Sequence, residues 1–411
     1  MVNQIIKPFM LFTLMISLVA SVIILTQFQA RENDSRLYTK FTTQLTKEKP
    51  LKEIVALEWQ GLSEYTDPNN PYVRDHFIGQ FIFPVIISKL GFPSEYSLYF
   101  LNTIYRLLFI FIFFLVVKEF IEKEKALVVL WALQLCLINF TYQLRANHEQ
   151  FLLLCLICTI LGYIKINHGA IYRILFVIGF IFSFLTKGLA AITLLPILFS
   201  IWFILYRKQE DKKYTNFFWI LISFFALVIT LFLYEVWFQA VTGYPFLAAY
   251  FKIQVYGRSI KDSASIHPFV LQKMINIFYY LSRALINALP WILLLVLSLG
   301  TKFYKTKSLK LDLSVKTKQL IWILINFVLV YILLFSLSNR LAQRYIFPAY
   351  YFFNTLILVV LIQYSPALKK FQQYLNSKIR PHYILIWMWF LLVMSAFGIY
   401  FMKGGHNHWV N

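Results

Sequence analysis

Polar side chains able to do chemistry are few in this sequence, and they fall in a handful of short stretches. RENDSRLY holds Glu32 and Asp34. A carboxylate there could take a proton from an attacking hydroxyl as a general base, or be an ordinary solvated acid at a span boundary. NPYVRDHFIGQF brings Arg74, Asp75 and His76 to the point where the chain turns back toward apolar sequence. These charges suit either a lipid headgroup or the cap of an interfacial helix. YQLRANHEQFLLL carries Arg145, His148 and Glu149. Arg145 and Glu149 stand four apart, so they could simply pair on one helix face. Lys187, in SFLTKGLAAITLLPIL, interrupts a long apolar run, and beside Gly188 at a tight turn it is well placed to meet a phosphate. YFKIQVYGRSIKDSASIHPF adds Arg258 and His267, and SNRLAQRYIFPAYY adds Arg340 and Arg344. Arginine grips a phosphate through a planar two-pronged guanidinium that stays charged.

Together these residues are a few carboxylates and a ring of bases drawn from distant segments. That is equipment for binding a lipid phosphate and activating a nucleophile. No spacing of His, Cys, Asp and Glu calls for a metal. Cys155 and Cys158 form a C-x-x-C, but inside the apolar run FLLLCLICTILGY. Redox or zinc chemistry needs accessible thiolates, so both cysteines read as small packing residues.

The elements that must position these residues are membrane spans. Of the 411 residues 60% are hydrophobic and 14% charged, more apolar surface than one soluble core can hide. Runs of about 20 apolar residues, enough to cross roughly 30 Å of hydrocarbon, recur along the whole chain. Drawn at 6–26, 97–117, 126–142, 150–166, 171–186, 188–206, 216–238, 275–300, 319–337, 345–363 and 382–402, they predict an all-α polytopic membrane protein with about eleven transmembrane helices. Helices are expected because only they satisfy the backbone internally in lipid. The first, with Lys7 before it and no small-residue cleavage site after it, reads as uncleaved. The chain reads as a single transmembrane unit over 1–411, with no separate soluble domain and no internal repeat.

Residues 27–96 form a long outer loop, predicted to carry an amphipathic helix at 35–45 and a short apolar helix within 76–91 that lies at the interface or re-enters. The alternative, a twelfth span at 76–91, would invert everything downstream. The net charge of +21 would suggest nucleic acid in a soluble protein. Here the bases cluster in short loops at 118–125, 206–214, 301–318 and 369–380, which marks those loops as cytoplasmic and removes nucleic acid as a partner. The loops at 27–96, 143–149, around Lys187, 239–274 and 338–344 then face the periplasm or the outside, and these hold every candidate residue above.

In order along the chain, the same segments resemble the multispan GT-C glycosyltransferases, especially the protein O-mannosyltransferases and the bacterial lipid A aminoarabinose transferases. Asp34-Ser35-Arg36-Leu37-Tyr38 is similar to the family's D-E-x-x-Y, with Ser35 replacing the second acid. His76-Phe77-Ile78-Gly79-Gln80 stands where the family has a K/H-P-P-L-like motif, without its prolines. Arg145 and Glu149 match R-x-x-x-D/E, Leu185 to Gly188 match L-T-K-G, YYLSRALINALPW matches the aromatic segment ending in L-P-W, and Arg344, Tyr345 and Pro348 match R-Y-x-x-P. The resemblance covers about 30 to 350.

It implies an enzyme of the cell envelope, in a bacterial plasma membrane, with its site facing the periplasm or outside. The donor would be a sugar linked to polyprenyl phosphate, and the reaction a one-step displacement inverting the anomeric carbon. Asp34 and Glu149 would be the catalytic acids, Asp34 as base. Lys187, Arg258, Arg344 and Arg340 would bind the donor phosphate. His76, Tyr38, Arg145 and Tyr345 would orient the substrates, with Glu149 assisting. The acceptor would be a glycan, a lipid or a protein; with no soluble domain to hold a protein, a glycan or lipid within the membrane's reach is expected. A divalent metal is compatible with the class. The rival reading is a transporter or flippase of lipid-linked sugars, which would need the same basic headgroup contacts, but also paired broken helices or inverted repeats.

Overall fold

The computed structural model describes residues 33–59, 70–134, 136, 145–254, 269–289, 291–307, 313–338 and 341–364. The spans drawn at 6–26 and 382–402, the second half of 126–142, and Arg258, His267 and Arg340 lie outside them. Among the described residues the architecture is helical.

The described chain opens with α1, Asn33–Lys47. Its apolar face (Tyr38, Phe41 and Leu45) is buried, and Arg36, Lys40 and Lys47 face outward. Asp34 in its first turn and Lys47 in its last oppose the helix dipole favourably. The second element, α2, runs Gly79–Lys89. Eleven residues reach only about 16 Å at 1.5 Å per residue, half of what a crossing needs. It therefore adds no crossing, which removes the twelfth-span reading. Gly79 lies so close to the Leu185 backbone that any side chain would collide with it. That contact seats the start of α2 on the end of a later span.

The helices that follow are α3 (Ser94–Val117), α4 (Lys123–Gln134), α5 (Glu149–Ile164), α6 (Ala170–Lys187), α7 (Leu194–Leu205), α8 (Glu210–Thr242) and the short α9 (Leu247–Phe251). Then come α10 (Phe269–Asn287), α11 (Trp291–Thr306), α12 (Val315–Ser336) and α13 (Phe347–Tyr364). Helices α3, α6, α8, α12 and the stretch Gln343–Gln363 are each long and apolar enough to cross a membrane. With α5 and α7 shorter but apolar, this is the build of a multi-pass integral membrane protein. Phe218, Phe225, Ile229, Phe232 and Leu233 stand exposed on α8, as expected where lipid rather than water is the solvent.

Two drawn spans need correction. The stretch 188–206 opens with a 3-10 turn, Gly188–Thr193, and only then becomes α7. The stretch 275–300 is not one helix: α10 and α11 meet at 83°. The break falls between Asn287 and Trp291, where the sequence holds a proline, a residue that removes an amide donor and disfavours a continuous helix. The Asn287 carbonyl left at the end of α10 accepts from the Asn354 amide of α13 at 3.3 Å. At the other end of α10, Asn276 donates to the carbonyls of Ser336 and Ser338. The bent pair thus starts beside the end of α12.

Packing joins α5 to both α6 and α3, sets α13 against α12, α11 and α4, and lays α1 and α2 over α3.

Candidate active site

One end of the bundle collects the chain turns at which α5 and α13 begin and α6 ends, and α1 lies across it. The turn before α5 is held from two sides. Asn102 of α3 donates its amide to the carbonyls of Arg145 and Asn147, each at 2.9 Å. The Ala146 N–H donates to Ser35 Oγ of α1 at 3.0 Å. Ser35 is fully buried, so at this position the chain carries a brace for the catalytic-looking turn rather than a second acid.

Glu149 is the first residue of α5 and has 0% exposure. The N-terminus of a helix favours a carboxylate, and two bases complete its setting: Lys187 Nζ and His148 Nε2 each lie 3.5 Å from Oε1. Lys187 ends α6 because Gly188 follows with φ +53° and ψ −121°, a conformation that a side chain disfavours. A Cβ there would also overlap the Tyr250 phenol. The Leu-Thr-Lys-Gly sequence is therefore a stop that aims one lysine at one glutamate.

The third segment is the stretch that leads into α2. A single bridge between Glu58 and Tyr72, with Trp59 N–H donating to Pro71 and Val73 N–H to Leu57 at 2.8 Å each, pins it in place. It delivers Asp75, buried, and His76, whose Nδ1 lies 2.8 Å from Asp75 Oδ2. Gln254 donates its side-chain amide to the Asp75 carbonyl at 2.7 Å.

The last segment is the 3-10 turn Gln343–Ile346. Tyr350 donates its hydroxyl to the Gln343 carbonyl at 2.8 Å, fixing that turn on α13. Arg344 forms an ion pair with Asp34 of α1. The neighbouring Tyr345 ring lies 5.8 Å from Lys187 Nζ and 6.0 Å from the Arg344 guanidinium, so one buried aromatic links the two ion pairs.

The expected residues thus converge. Asp34, Tyr38, His76, Arg145, Glu149, Lys187, Arg344 and Tyr345 share one site; Arg258 and Arg340 lie outside the described residues. Their exposure divides them. The side chains of Asp34 and Arg344 are 26% and 27% exposed, and His76 is similarly open, so these three form a mouth. Glu149, His148, Arg145, Tyr38 and Tyr345 are buried and form a floor. Tyr38 packs its ring 5.7 Å from His148, 6.3 Å from His76 and edge-on to Phe81. Among the described residues, no group of three His, Cys, Asp or Glu side chains is placed to hold a metal.

Sequence reasoning passed over one residue. Arg106 lies midway along α3, 3% exposed, and its Nη2 donates to Gln134 Oε1 of α4 at 2.8 Å. A lone arginine inside an apolar run was the available signal. A charge at that depth costs about 2.5–3.5 kcal/mol by insertion scales, so it is rarely placed there idly.

Comparison with known proteins gives no matching family model and no matching curated protein. Solved structures do match. ArnT from Cupriavidus metallidurans bound to undecaprenyl phosphate superposes with a TM-score of 0.61 at 15% identity, over 89% of this chain and 62% of that one. The apo state of the same protein gives 0.61 at 14% identity, over 89% and 61%. The chain spans about three fifths of the length of those structures. At such identity the likeness is one of fold, and the fold of this chain is the GT-C fold of ArnT, the lipid A aminoarabinose transferase.

Proposed function

We propose that this protein transfers a sugar from a polyprenyl-phosphate carrier to a glycan or lipid acceptor at the outer face of a bacterial plasma membrane, with inversion at the anomeric carbon. The observation that carries the reading is the mouth of the site: a carboxylate, Asp34, held against a guanidinium, Arg344, with Lys187 on the same tyrosine ring. The ArnT structure that shares the fold was solved with undecaprenyl phosphate. The outward orientation is supported by the gathering of these residues at one end, away from the lysine-rich segments 118–125, 206–214 and 301–307.

The pairing suggests how the step runs. In the free protein the Asp34 carboxylate occupies Arg344. A donor phosphate is a competing anion, and a two-pronged guanidinium–phosphate contact is among the stronger hydrogen-bonded pairs. When the phosphate takes Arg344, Asp34 is released to accept the proton of an acceptor hydroxyl. The hydroxyl oxygen attacks the anomeric carbon from the side opposite the phosphate, and the bond from that carbon to the phosphate oxygen breaks. The carrier leaves as a phosphate monoester whose added charge Lys187 and Arg344 stabilise, joined by Arg258 and Arg340. Glu149, sealed from solvent, acts by holding Lys187 rather than by touching the acceptor. His76, half-open and fixed by Asp75, orients the substrate at the mouth, and Tyr38, Arg145 and Tyr345 hold the floor.

A transport reading has one observation in its favour, the broken pair α10–α11, since transporters build sites from discontinuous helices. Among the described residues it has no counterpart in a second repeat.

The test is mass spectrometry of envelope glycans and lipids from cells lacking the gene, complemented with wild type or Asp34→Asn. A sugar modification should be missing in the deletion and restored by wild type only. Full restoration by Asp34→Asn would remove the proposed chemistry and favour transport.

A further inference from the structure

Below the site stands a positive charge that the proposed transfer does not use. The Arg106 guanidinium cannot shed its proton at any working pH, and buried charges are normally paired. Around Arg106 are α4, which supplies Gln134, and α13, which supplies Tyr351, with Gln150 of α5 beside the tyrosine. The Phe109 and Tyr351 rings meet at 5.2 Å, locking α3 to α13. Tyr351 lies within electrostatic range of Arg106 and beside the Gln150 side chain. Gln134, Gln150 and Tyr351 are all fully buried.

What this cluster lacks, among the described residues, is an acid. The four helices contain only Glu95, Glu124 and Glu149. Glu95 and Glu124 sit in the first turns of α3 and α4, at the two ends of the bundle. Glu149 is the partner of Lys187 and His148. The stretch 135–144, which continues α4 in sequence, has no Asp or Glu. Arg106 Nε and Nη1 meet no acceptor among the described residues. A fixed charge and unsatisfied donors, beside amides and a phenol, make a donor-rich setting for something that accepts hydrogen bonds and carries negative charge.

We infer that Arg106 is the cation of a buried anion site that takes a small monovalent anion of the chloride class. The enclosure sets the size: every described wall residue is almost sealed, so a lipid phosphate does not enter. Bound there, the anion ties α3, α4, α5 and α13 together one residue away from Glu149. It works as a structural ligand, and the inference stands independently of the sugar-transfer reading.

The test uses the purified full-length chain in detergent micelles, with thermal unfolding followed in sodium chloride, sodium bromide and sodium gluconate at equal ionic strength. Chloride and bromide should raise the melting temperature in a saturable way, and gluconate should not. A ligand that binds only the folded state stabilises with the logarithm of its concentration over Kd, so the rise is fitted to a half-saturating concentration. Arg106→Gln should abolish the halide effect. Should that variant fail to fold, Arg106→Lys keeps the charge but loses the planar fork, and its half-saturating chloride concentration should rise about tenfold, as for loss of one charged hydrogen bond. Equal melting temperatures of wild type in chloride and gluconate would overturn the site, with buried water then satisfying Arg106. So would a halide effect that persists in Arg106→Gln, or one whose midpoint is unmoved in Arg106→Lys.

Discussion

Asp34, in the first turn of α1, is ion-paired with Arg344, in the turn that opens α13. The two stand near opposite ends of the described chain, and their pairing closes the site. Under the proposed function it also makes base and phosphate clamp competitors, and this gives each substitution a distinct signature.

Asp34→Asn keeps the side chain's shape but cannot accept a proton. Sugar transfer should fall by about 10²–10⁴-fold, the usual worth of general-base help. Binding of undecaprenyl phosphate, followed by intrinsic fluorescence, should hold or tighten, because a neutral amide no longer competes for Arg344. Weaker binding would show that Asp34 holds the carrier rather than the acceptor's proton.

Arg344→Ala should act on both quantities. A hydrogen bond to a charged group is worth about 1.5–3 kcal/mol, so carrier affinity should drop by roughly 10- to 150-fold, and turnover should drop with it. Arg344→Lys should recover part of the affinity, since it restores charge without the two-pronged geometry. A loss of rate with unchanged affinity for undecaprenyl phosphate would count against the clamp.

Glu149→Gln removes the counter-charge of Lys187 inside the floor. Breaking a buried pair by one partner costs about 3–5 kcal/mol, and the lower end applies because Lys187 keeps some exposure. The melting temperature should fall measurably. The double change Glu149→Gln with Lys187→Met should regain stability, since no charge is then left unpaired, while transfer stays low for want of Lys187. A double variant as unstable as the single one would mean that the pair is not what holds the floor.

Topology offers an independent check. Single cysteines placed in 70–76 should react with a membrane-impermeant maleimide added outside intact cells, and cysteines in 301–307 only after the membrane is opened. Labelling of 301–307 from outside would reverse the orientation and put the site on the cytoplasmic face.

Much of this was legible in sequence. The apolar runs located the helices because lipid admits few alternatives, and the lysines of 118–125 and 206–214 marked one end of the bundle. Lys187 stood out as a charge in an apolar run, and Asp34, Glu149 and Arg344 as charges at the edges of such runs. Even the stop at Lys187-Gly188 could be read, since glycine there has a conformational reason.

What the sequence could not decide was who meets whom. Arg145 and Glu149 suggested a local pair by their spacing, yet the glutamate's partners include Lys187, delivered by the next helix. Ser35 read as a missing acid, and only the fold shows it bracing Ala146. The span at 275–300 kept its hydropathy straight through a right-angle break, because hydropathy measures what a residue is buried in and not the direction of its helix. Arg106 was visible as a lone charge in an apolar run, but not what it meets. Its meaning depends on the charges of three other helices, and that inventory exists only once packing has brought them together.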